Sequence, residues 1–164
     1  MSDLEYPACI NELYQSEVIG EAAFLALIKA ARNERDKYHF ATLLQLETET
    51  KARLRPFLFR HGLELDESQV GTEQVAGFLA LYRDNSWPEF LAGLKPMIEQ
   101  VVGRFEDIAA AGPEEDQDIL HSMVRHEQSY MHWIEKETAG EEGALDVAIS
   151  QLEYPLPALS TLSP

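Results

Sequence analysis

The chain has 164 residues, 45% of them hydrophobic, and its 29 acids outnumber its 13 bases for a formal charge of −16. A single domain with a substantial core fits that length. Nucleic-acid backbones and anionic membranes are excluded as partners, because so acidic a chain repels both.

One cysteine, Cys9, leaves no intramolecular disulfide to form. The N-terminus MSDLEYPACI is acidic and lacks the basic and apolar regions of a signal peptide. No run approaches about 18 consecutive apolar residues. The expectation is a cytoplasmic protein with no nucleic-acid and no membrane partner.

In chain order, the first helical pattern runs from about Pro7 to Ala31. Its apolar seam is Ile10, Tyr14, Glu17, Glu21, Phe24, Ile28 and Ala31, with two acids in the middle. The second helix starts after Asn33, a fitting N-cap, and ends at Gly62. Its seam is Phe40, Leu43, Glu47, Thr50, Leu54 and Phe57. A polar stretch, LELDESQVG, precedes a short helix in TEQVAGFLALYRD. SWPE then opens the third long helix, with Ser86 as N-cap and Glu89 at the capping-box position; Pro96 is expected to kink it. Gly112 and Pro113 end that helix, and the fourth runs through DILHSMVRHEQSYMHWIEKE to Gly140. The spacing thus predicts an all-α antiparallel four-helix bundle over residues 1–140, made of two helical hairpins joined by a crossover. Residues 141–164, with three prolines in QLEYPLPALSTLSP, are expected to form an irregular C-terminal tail packing on the bundle.

Carboxylates on an apolar seam are costly unless a cation or a hydrogen-bonding partner offsets them. ETETKARLRPFL (47–58) resembles the second helix of rubrerythrin-type proteins, and HEQSYMHWI (126–134) resembles their fourth. The resemblance, to the ferritin-like superfamily, spans about residues 10–62 and 87–138. It implies the ferritin-like topology and a metal centre in which two helices each give a Glu and the other two each give Glu-x-x-His. The two halves also resemble each other: LLQLETETKARL aligns on MVRHEQSYMHWI with Glu47 on Glu127, and Glu99 then takes the part of Glu21. The candidate metal ligands are Glu21, Glu47, Glu99 and Glu127. Thr50 and Tyr130 stand where that family has its histidines, so His126, on an inward seam, is the candidate nitrogen donor.

Two functions follow from these residues. One is an iron- or manganese-dependent oxidoreductase with a modified carboxylate/histidine site and a small apolar molecule as substrate. The other is a metal-free bundle that binds a partner or acts as a scaffold, as a homodimer. In the second, Glu17 and Glu21 would pair with Arg53, Arg55, Arg104 or Arg125. The sequence contains no Gly-rich phosphate loop, Cys-x-x-Cys, His-Glu-x-x-His or nucleophile elbow.

Overall fold

The computed structural model describes residues 5–68 and 71–158, and these are all-helical, with no strand. The long helices are α1 (Tyr6–Ala30), α2 (Glu34–Arg60), α4 (Trp87–Ala111) and α5 (Gln117–Ala139). Two shorter ones are α3 (Thr72–Arg83) and α6 (Asp146–Ile149), and a 3-10 turn, Glu114–Asp116, leads into α5. None of the described helices is long and apolar enough to cross a membrane.

Local signals set the helix ends. The Asn33 side chain accepts the Asp36 backbone N–H at 2.8 Å and starts α2. At the other end Gly62 takes φ +67°, and the Leu63 N–H reaches back to the Leu58 carbonyl at 3.0 Å. A left-handed residue is what closes a helix this way, and glycine adopts it without strain. Glu89 accepts from both the Ser86 N–H (2.9 Å) and its hydroxyl (2.6 Å), which secures the start of α4. Pro96 does not interrupt α4, which continues helical to Ala111.

α1 packs along α2, and α4 along α5, as two antiparallel hairpins. The direction follows from the pairings: Arg55 meets Tyr14 while Lys51 meets Glu21, and Gln117 meets Ala109 while Gln128 meets Glu106. α3 lies across α1 and links the hairpins. Two apolar clusters fill the space between them. The first holds Phe24, Leu43, Phe90 and Trp133; the second holds Ile10, Leu54, Phe105 and Met123.

The C-terminal segment carries one short helix, α6, and packs against the hairpins. Ala144, Leu145 and Ala148 belong to the first cluster. Glu49 accepts the backbone N–H groups of Glu153 and Tyr154 at 2.7 and 2.9 Å, which pins the chain after α6 against α2. Most of the apolar end LPALSTLSP lies outside the described residues.

His39 belongs to this frame. Its Nδ1 accepts the Trp133 indole N–H at 2.9 Å, and its Nε2 lies 3.7 Å from Glu137. Burial pushes its pKa down to about 4, against the opposing pull of the Glu137 carboxylate. An unfolded histidine titrates near 6.5, so between those values the unfolded chain binds the extra proton and acid erodes stability. The loss is at most about 3 kcal/mol, complete only below pH ~4. His39→Gln keeps an acceptor for Trp133 and removes the titration. Urea unfolding at pH ~7 and ~4.5 is expected to show a stability drop about 2 kcal/mol smaller in the variant. An unchanged drop would assign the acid sensitivity to other groups.

Candidate metal centre

Between the two apolar clusters lies a layer of buried polar side chains. α1 contributes Glu17, α2 contributes Glu47 and Thr50, and α5 contributes His126, Glu127 and Tyr130. Each position sits at helical spacing from core residues on both sides. Ile10, Glu17 and Phe24 are seven apart and all buried, as are Phe40, Glu47 and Leu54. His126 and Glu127 lie between Met123 and Tyr130. The layer is therefore held in place by the same packing that forms the core.

The geometry centres on His126. Its Nε2 lies 3.0 Å from Glu17 Oε2, 3.6 Å from Glu47 Oε2 and 4.0 Å from Glu127 Oε1. One ligand atom each from Glu17, Glu47 and His126 fall within 4.8 Å of one another. His126 and Glu17 are both 0% exposed. Neither Glu17 oxygen nor His126 Nε2 has a hydrogen-bond partner among the described residues, so the 3.0 Å approach is a charge contact rather than an aligned bond. Around them, the Tyr130 hydroxyl donates to Glu47 Oε1 at 2.6 Å, and Thr50 Oγ1 stands 3.3 Å from His126 Nδ1. Second contacts of this kind fix which atoms point inward.

Three carboxylates and one imidazolium, fully ionised, would give this layer a charge of −2. Burial, opposed by His126 and reinforced by the Glu47 carboxylate, drives the Glu17 carboxyl well above its ordinary range and the Glu127 carboxyl up to about 7. For His126 burial acts downward, but the Glu17 and Glu47 carboxylates outweigh it and hold the imidazole well above its usual value. Burial, reinforced by Glu47, keeps the Tyr130 phenol protonated as a donor.

The sequence candidates separate. Glu47, Glu127 and His126 come together. Glu21 turns to the rim, where it accepts from Thr48 (2.7 Å) and Lys51 (2.8 Å). Glu99 is exposed and lies 4.0 Å from Lys95. The α1 acid in the layer is Glu17, one turn before Glu21. The buried inward seam is Leu13, Glu17, Phe24 and Leu27, and Gly20 faces the Glu47 carboxylate between them. α4 sends no acid into the layer; its middle turn borders a cavity instead. None of the arginines considered comes within ion-pair distance of Glu17 among the described residues, although the Glu17 charge acts on Arg53 from farther away. Arg55 pairs with Glu67 and Arg104 with Glu12.

Gly20 has a steric role. A Cβ there would sit 2.5 Å from Glu47 Cδ, so the Glu47 carboxylate lies directly over the bare backbone of α1. Gly→Ala within a helix ordinarily stabilises by about 1 kcal/mol. Here that gain is expected only when Glu47 is also shortened. In a double-mutant cycle, Gly20→Ala should be neutral or destabilising in the parent and stabilising by about 1 kcal/mol in Glu47→Ala. Equal effects in both backgrounds would refute the close approach.

Comparisons of the chain with family models, with curated proteins and with solved structures return no match.

Proposed function

We propose that Glu17, Glu47, Glu127 and His126 hold an iron or manganese ion in a modified ferritin-like four-helix bundle, and that the protein is an oxidoreductase using dioxygen or peroxide. The observation that carries this reading is the convergence of three buried ligand atoms, two of whose residues, Glu17 and His126, leave inward atoms without hydrogen-bond partners. Carboxylate oxygens with one imidazole nitrogen suit these metals, and a cation would offset the charge that burial makes costly. Two antiparallel hairpins joined by a longer connection support the ferritin-like reading of the fold.

The chain's own residues would perform defined tasks. Thr50 steadies the His126 ring through Nδ1 and leaves Nε2 facing the carboxylates. Tyr130 orients Glu47. The apolar clusters on either side exclude water, which strengthens every charge interaction in the layer. A bound ion would supply Lewis-acid and one-electron chemistry.

A second reading has its own support. With His126 protonated 3.0 Å from Glu17, the layer neutralises part of its charge without an ion. Thr50 and Tyr130 occupy the positions at which a di-iron protein has histidines. On this reading the bundle is metal-free and works by binding a partner.

Elemental analysis of protein purified without chelator or affinity tag separates the two. The metal reading expects near-stoichiometric iron or manganese, lost in Glu17→Gln and in Glu47→Ala. It also expects Fe(II) or Mn(II) affinity to rise from pH ~6 to ~8, because His126 and Glu127 must release protons to ligate. No metal in any form, even after anaerobic Fe(II) loading, would leave the binding reading.

A further inference from the structure

A cavity of about 380 Å³ lies between α1, α3 and α4 and ends on the polar layer. Its size is within the usual range for small-molecule sites, roughly 300–1,000 Å³. The walls are apolar, with Phe24, Leu27, Phe90 and Leu94 buried in them. The inner end presents Glu47, Glu127 and Tyr130. Met97, Gly77 and the neutral amides Gln74 and Gln100 also line it, and among the described residues no lysine or arginine does.

Glu47 is already held by Tyr130, but Glu127 is not held in this way. Glu127 is 4% exposed and accepts no hydrogen bond among the described residues; its charge contact is His126, 4.0 Å away. A buried carboxyl facing an apolar chamber without a donor is costly, and a ligand that brings one donor relieves the cost. A carboxylate-ended ligand would meet two acids at the inner end and no basic side chain on the walls. An ammonium would lose its hydration in an apolar chamber and bring three N–H donors, whereas Glu127 is the one inner carboxylate that Tyr130 does not already hold.

We propose that this chamber binds an uncharged, largely apolar molecule with a single hydroxyl, which donates to Glu127 while the hydrocarbon body lies against Phe24, Phe90 and Leu94. This names the substrate class of the site proposed above and rests on that reading for the chemistry alone, since binding needs no ion. The buried end sets polarity; the mouth sets access. At Gly77 an added Cβ meets nothing within 4 Å, so a side chain there can narrow the chamber without disturbing its walls.

Calorimetric titration of chelator-treated protein at pH ~8 tests the proposal with 1-octanol, octanoate and octylamine as probes. Octanol is expected to bind saturably at one site per chain, with the other two at least about tenfold weaker. Gly77→Phe is expected to abolish octanol binding with its thermal unfolding unchanged, and Ala23→Leu, which fills the chamber from α1, to weaken it. No saturable octanol binding would overturn the proposal. So would octanoate or octylamine binding as tightly as octanol, or octanol binding unaffected in both variants. Because the metal is stripped beforehand, a negative result for metal content leaves this experiment readable, and failure to bind octanol says nothing about metal.

Discussion

A layer of ionisable groups buried across the middle of a helical core is the constraint on which the rest of this structure depends. Glu17, Glu47, Glu127 and His126 have almost no access to water. Each carboxylate removed from water costs several kcal/mol unless its charge is met. Two apolar clusters above and below the layer hold it in place, so the helices cannot rotate the acids outward without exposing Phe24, Leu43 or Met123 as well. The polar layer is thus tolerated because the core on both sides outweighs it.

The same constraint explains residues that would otherwise look incidental. Gly20 is small because the Glu47 carboxylate occupies the space its side chain would fill. Tyr130 is a tyrosine rather than a phenylalanine at a core position because its hydroxyl bonds Glu47, while its ring stacks on Phe24 at 5.8 Å between centroids. Thr50 faces His126 from the opposite hairpin, its hydroxyl 3.3 Å from Nδ1. Lys51 and Arg55 serve a separate purpose at the rim. They gather Glu21 and Glu67; the Tyr14 hydroxyl first, then Arg55 and Lys51, hold Glu67 down to a pKa of about 2, tying the loop after α2 to the α1–α2 hairpin.

α4 breaks the pattern of the other three long helices. It supplies Phe90, Leu91 and Leu94 to one cluster and Phe105, Ile108 and Ala109 to the other, but no polar side chain to the layer. Where its acid would stand, Ile98 and Val101 border the cavity, and Glu99 faces outward. The result is an asymmetric site: carboxylates and an imidazole converge from three helices, and an apolar space opens toward the fourth. That asymmetry is what links a charged centre to a hydrocarbon-lined chamber in one small protein.

Helix positions, their caps and the separation into two hairpins were legible in the chain because they rest on local chemistry: Asn33, Gly62, the Ser86–Glu89 pair and the spacing of the leucines. Glu47, Glu127 and His126 were legible as inward groups for the same reason. The choice between Glu17 and Glu21 was not. Both fit a helical stripe four residues apart, and which one enters the core depends on how far α1 is rotated against α2, a matter of packing around Gly20. Glu99 was misleading in the same way, since alignment of the two halves assigned it by analogy while α4 turned that face to solvent. The cavity belongs wholly to the tertiary structure. It arises from side chains on α1, α3 and α4 that are distant in sequence, and empty space between helices leaves no periodic mark on any one of them.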